Sequence, residues 1–234
     1  MTRRRFSGKH GFTLIELLLA VFIFAIVVGT LFGSYRAVMS SVEGLSAGMD
    51  LYEMATTCLD RMIRDVESAR ISQAPAWCKP NPMKTDEEAD PLHILAVESD
   101  GETGMPRFRF ASLAHVSQRG DGREGLAEIV YYADRVEREG EEINILRRAD
   151  RLPPWPEEFV PSAADPVLCE QVKSFEVLLY DAEGEEYTAW DSESSGSQYA
   201  TPKAVAFRME IGDEHLSHYF ETMAAFPAYR RGAD

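Results

Sequence analysis

Glu16 is the only charged residue between positions 12 and 32, in a run otherwise made of Leu, Ile, Val, Phe, Ala and one Gly, with Thr13 and Thr30 as the other polar exceptions. A carboxylate left fully charged in hydrocarbon costs about 2.5–3.5 kcal/mol or more, so its presence there implies a partner. The Gly11-Phe12 bond lies one helical turn earlier, and cutting it would create a positive amine close to the depth of that carboxylate. The chemistry these residues offer is therefore ionic: the new amine of one chain neutralising Glu16 of another. At about 1.5 Å per helical residue the run covers the roughly 30 Å of a bilayer core. A secretory signal peptide would have an apolar core of about 7–15 residues and a small-residue cleavage site behind it, and this run is longer with no clear A-x-A site. A plain signal anchor fits the length but leaves Glu16 unexplained.

The other residues able to do chemistry form weaker patterns. His215-x-x-His218, with Glu214 and Glu221, invites a metal reading, but on a strand positions three apart face opposite sides and cannot share an ion. Asp191, Glu193 and Ser195 lack the ordered spacing, the Gly and the closing Glu of an EF-type calcium loop, and read as a solvated loop. No Walker loop or C-x-x-C occurs. The chain is accordingly expected not to be an enzyme, and to hold no cofactor and no metal.

These residues must be positioned by one membrane helix and one soluble domain, which is what 234 residues accommodate. Arg3, Arg4, Arg5 and Lys9 crowd the amino side of the run, so the leader stays cytoplasmic and the rest crosses the membrane. Removing a leader with these four bases and no acid takes the formal charge from −15 to −19, a surface that repels nucleic acid. The expected location is a bacterial inner membrane, single-pass, with the carboxyl-terminal domain in the periplasm. An oxidising compartment permits one bridge among Cys58, Cys78 and Cys169, in any of three pairings. Cys78 and Cys169 each sit by a Pro-rich loop, whereas Cys58 lies beside Leu59 and Met62 on a helix. A Cys78–Cys169 disulfide with a buried Cys58 is the expected arrangement.

Beyond the span, Leu51, Ala55, Cys58, Met62, Val66 and Ala69 recur at spacings of three and four, which predicts one long helix to about Arg70. Gly29, Gly33, Gly44 and Gly48 make residues 34–48 the place for bending, or for close approach of another helix. Residues 71–91 read as a loop with an acidic tip at Asp86-Glu87-Glu88. Short strands are expected at 92–98, 107–112, 125–133, 143–148, 172–181, 187–190 and 203–211, with 215–223 returning as a hairpin partner and a polar tail from Ala228. Five prolines keep 151–166 out of any central strand. The fold class is α+β: a long amino-terminal transmembrane and amphipathic helix packed on antiparallel sheet. Its parts are 1–11 as leader, 12–33 as span, 34–70 as periplasmic helix and 71–234 as a β-rich domain.

In its first turns the sequence resembles the type IV prepilin family, whose signature is a short basic leader ending in Gly, then Phe, an apolar run, and Glu at the fifth mature position. Gly11, Phe12 and Glu16 fill those places. The resemblance implies that a membrane prepilin peptidase cuts after Gly11 and N-methylates Phe12, and that Glu16 guides subunits into a helical filament with a pilin-like fold. Further on, Tyr132, Leu146-Arg147-Arg148, Pro166-Val167, Tyr180-Asp181, Trp190, and Pro202 ahead of the 204–211 strand resemble the J-type minor pseudopilins of type II secretion (GspJ-like). That resemblance implies a subunit at the pseudopilus tip with I-type and K-type partners, initiating assembly and helping to export folded proteins across the outer membrane. The alternatives are a PilW-like minor pilin of a type IV pilus system and a membrane-anchored periplasmic binding protein.

Overall fold

A computed structural model of the chain describes residues 12–75, 77–80, 90–117, 124–138, 140–156, 158–214 and 216–232. The expected leader at 1–11 with Gly11, the acidic tip at 86–88 and His215 lie outside the described residues. The chain divides into two units, Met1–Met49 and Asp50–Asp234.

In the first unit the Thr13 carbonyl accepts the amides of Glu16 at 3.1 Å and Leu17 at 3.2 Å, which opens helix α1, Leu14–Glu67. Its stretch Leu14–Met39 has 26 residues, a mean hydropathy of 2.8 and no burial within the chain. At about 1.5 Å per residue that stretch is about 39 Å long, more than a bilayer core requires. The Thr30 hydroxyl donates to the Val27 carbonyl at 2.9 Å, so this polar group is satisfied inside the helix. Helix assignment continues unbroken through 34–48, where the glycines had marked a bend. A Cβ added at Gly29 or Gly33 would meet nothing within 4 Å, so packing inside the chain requires neither glycine.

In the second unit the end of α1 buries Ala55, Cys58, Leu59, Met62 and Val66, the stripe expected from their spacing. The helix stops at Glu67 rather than near Arg70 because the chain changes partners. The Arg70 amide donates to Ala111 at 2.9 Å, the Leu113 amide donates to Ser68 at 3.0 Å, and Ala69 bridges Ser112.

Antiparallel strands follow in two sheets. One contains β1 (Leu95–Asp100), β2 (Met105–Ser112), β3 (Ala127–Arg138), β4 (Glu141–Arg151), β5 (Val167–Cys169) and β8 (Trp190–Asp191), in the order β5-β4-β3-β2-β1-β8. The other contains β6 (Val172–Tyr180), β7 (Glu186–Tyr187), β9 (Ala204–Gly212) and β10 (Ser217–Ala225), in the order β10-β9-β6-β7. The expected strand at 187–190 is two short ones in different sheets, since β7 pairs with β6 and β8 with β1. The β3-β4 hairpin is longer than expected and closes through Gly140 at φ 86°, a conformation glycine adopts without cost.

The alternation expected of a half-buried sheet fails in β3, where residues 127–132 are all buried. Both faces of that sheet are covered. Ile129 and Tyr131 join the main core, while Val130, Tyr132 and Ala149 lie under Phe159 from the Pro-rich segment. In the main core the Phe207 ring of β9 lies 5.9 Å from Phe108 and 6.1 Å from Tyr131, so aromatic rings from the two sheets meet on the buried end of α1.

Two expectations require correction. Cys78 is exposed and Cys169 is fully buried, both as free thiols, and the thiol beside Cys169 belongs to Cys58 rather than Cys78. The reason is that β5 turns Cys169 into the core where α1 turns Cys58, while the Pro-rich loop leaves Cys78 outside. The segment from Ala228 is not a solvated tail, because Arg230 is only 6 % exposed.

Candidate functional site

The site at the amino end is built by helix geometry alone. Phe12 is 83 % exposed and precedes the first turn of α1, which contains Glu16. A carboxylate in the first turn is favoured by the helix dipole, but among the described residues no side chain bonds that of Glu16. Leu17, Leu18 and Leu19 are successive and each more than half exposed, so the apolar surface runs around the helix instead of forming one stripe. Such a helix needs lipid or other chains around it. Phe12 and Glu16 thus end up on one short exposed segment, with the hydrogen-bonded first turn between them.

A second constellation, missed from the sequence, holds the other end of α1. Asp65 is fully buried on the helix and accepts Arg148 Nε at 2.6 Å, Arg148 Nη2 at 3.1 Å, Arg61 at 2.8 Å and the Tyr131 hydroxyl. Arg148 also reaches Asp150 at 2.6 Å and the Ala114 carbonyl at 3.0 Å, and Asp150 accepts His115 at 2.6 Å and the Val116 amide at 2.9 Å. Burial alone would lower the Arg148 pKa, but the two carboxylates outweigh it and raise it. Burial, then Asp65, pushes the Tyr131 hydroxyl well up, so it stays a donor. The neighbouring Arg147 points to the opposite face, as strand geometry dictates, and holds Asp134 at 2.8 Å and the Asp165 carbonyl at 2.7 Å. On that face burial raises Tyr132 to about 12. One arginine therefore fastens the helix and the next fastens the Pro-rich segment. The readable signal was Asp65 interrupting the apolar stripe between Met62 and Val66.

Arg230 organises a third cluster. It donates to Asp90 at 3.0 Å, Glu193 at 3.2 Å, and the carbonyls of Tyr199 at 2.7 Å, Ser192 at 2.9 Å and Ser72 at 3.3 Å, with Trp77 stacked 3.8 Å from its guanidinium. The 191–198 segment is thus held around a cation instead of being solvated. An open cleft of about 710 Å³ lies beside it, lined by Asp181, Tyr187, Trp190, Gln198 and Arg231 among others.

Catalytic geometry does not emerge from these parts. Gly44-Leu45-Ser46-Ala47-Gly48 has the letters of a nucleophile elbow, but it lies within α1 instead of on a strand-to-helix turn. His218 pairs with Ile211 in the β10-β9 ladder, and among the described residues no three His, Cys, Asp or Glu side chains converge on a metal position.

The family described as prokaryotic N-terminal methylation motif matches this chain over residues 6–32, the segment that contains Gly11, Phe12 and Glu16. No curated protein matches the chain.

Proposed function

We propose that the chain is a minor pseudopilin of J type, placed at the tip of a type II secretion pseudopilus, where it helps initiate assembly and export of folded proteins. What supports the pilin-like part of this reading is the amino-terminal segment: a methylation motif over 6–32, on a helix whose 26-residue apolar stretch has no cover within the chain and carries Glu16 in its first turn. In this reading a prepilin peptidase cuts after Gly11, the methylated amine of Phe12 neutralises Glu16 of a neighbour, and the span is covered first by lipid and then by other subunits. The role is structural and not enzymatic. The unit Asp50–Asp234 supports a tip position because a large acidic domain cannot repeat along a tightly packed filament, and I-type and K-type subunits would be its partners there.

Mass spectrometry of the membrane-extracted protein tests the first step, with a chain beginning at N-methyl-Phe12 as the expected result. An intact Met1 terminus in a strain with active peptidase overturns it. Isolation of the crosslinked protein tests the second, with I-type and K-type pseudopilins expected alongside. Recovery with pilus subunits instead would transfer the chain to a type IV pilus system.

A further inference from the structure

Two buried thiols on different elements lie side by side in the core. Cys58 is 1 % exposed on α1 and Cys169 is fully buried at the end of β5. The Cys169 sulfur lies 3.9 Å from the Met54 carbonyl oxygen. In an α-helix that oxygen faces the amide four residues on, which here is the amide of Cys58. The Cys58 sulfur itself lies 4.0 Å from Met62 Sδ, on the same buried stripe, and the Glu170 amide lies 3.4 Å from Met54 Sδ. One turn of α1 and the end of β5 therefore enclose both thiols.

We propose that Cys58 and Cys169 form a disulfide that ties α1 to β5, and that Cys78 takes no part in it. The reaction removes one hydrogen from each thiol and joins the two sulfurs. The two electrons and two protons pass to a disulfide oxidant, a dithiol oxidase in the cell or oxidised glutathione in the tube, which leaves as a pair of thiols. In the cell this rests on the exported reading, because only a compartment beyond the membrane supplies such an oxidant. β5 has three residues and one partner strand, so its end gains from a second attachment. The hydrogen bond the Cys58 thiol donates to Cys169, with burial, pushes the Cys58 thiol well up, so oxidation is slow in the folded chain and proceeds best while the core is still open.

The full chain, extracted from membranes with a thiol-blocking alkylator present, is digested with trypsin without reductant. A linked pair of peptides 37–61 and 152–173 is expected, two hydrogens lighter than their sum, with Cys78 alkylated. Cys78→Ser should keep the link and Cys169→Ala should abolish it. The linked protein should melt about 10 °C above its reduced form, the increment expected for closing a loop of roughly 110 residues. If the link is missing from the membrane extract but forms when the same reduced chain is refolded from urea with oxidised glutathione, the pairing stands and the exported reading fails. Three alkylated thiols in both samples, or a link that includes Cys78, overturns the proposal.

Discussion

Replacing Asp65 by Ala removes the carboxylate on which Arg148, Arg61 and the Tyr131 hydroxyl converge, and leaves a guanidinium whose side chain is only 4 % exposed. Arg148 keeps Asp150 and the Ala114 carbonyl, so the charge is not abandoned, but the tie from α1 to the sheet is lost. Breaking one side of a buried ion pair costs about 3–5 kcal/mol. A domain of this size has about 5–15 kcal/mol in total and shifts its Tm by roughly 2–4 °C per kcal/mol, so a fall of about 6–20 °C is expected. Thermal unfolding of the detergent-solubilised full chain, followed by the near-ultraviolet dichroism of its buried aromatic rings, measures it. The double variant Asp65→Leu with Arg148→Met should recover much of the loss, because apolar side chains of similar volume replace a buried pair at little net cost. A Tm drop below about 3 °C for Asp65→Ala, or a double variant as unstable as the single one, would refute the reasoning.

Glu16→Ala should leave cleavage after Gly11 intact while lowering recovery of the assembled complex about tenfold, the effect of ~1.4 kcal/mol of lost pairing; unchanged recovery in a crosslinking assay removes the carboxylate from assembly. Gly212→Ala should cost about 3 kcal/mol or more by urea denaturation, since φ is 143° and the added Cβ collides with the Leu216 carbonyl oxygen. Acid stability should depend on Asp150. Burial would raise its pKa, but hydrogen bonds from His115 and Arg148 outweigh it and hold it below the ordinary value. A lowered folded value means stability present above the unfolded pKa of about 3.9 and lost as pH falls through the folded one, so Asp150→Asn should flatten the loss of urea midpoint below about pH 4. An identical acid profile for the variant contradicts that sign.

The amino-terminal helix was legible because its signal is local. Hydropathy, length and the misplaced acid at Glu16 all lie within one stretch, and the stripe through Ala55, Cys58 and Met62 follows a helical period. The strand at 204–212 was legible for the same reason, since Val205, Phe207, Met209 and Ile211 stand at alternate positions, and the one at 172–180 was legible from its aromatic and branched residues ahead of a turn. What escaped depended on distant partners. Burial of residues 127–132 on both faces erased the alternation of β3, because the cover on its second face comes from a segment that its prolines marked only as irregular. β5 has too few residues to show a period, and its burial of Cys169 beside Cys58 is set by tertiary packing that loop composition does not report. Arg230 was read as part of a tail because its five partners are scattered from Ser72 to Tyr199.

That scatter has a consequence in time. A ribosome delivers Arg230 after every described strand, and the groups it gathers include Ser72, 158 positions earlier in the chain. In the closed cluster burial, then the Asp90 carboxylate, raises the pKa of Glu193 while Arg230 lowers it, so bringing the two carboxylates together depends on their shared cation. Until it arrives, the Ser72, Asp90 and Ser192 segments are three loose ends. The domain is therefore fastened late: a partly delivered chain can form helix and hairpins, but the latch that closes them on one another appears only after the last described strand.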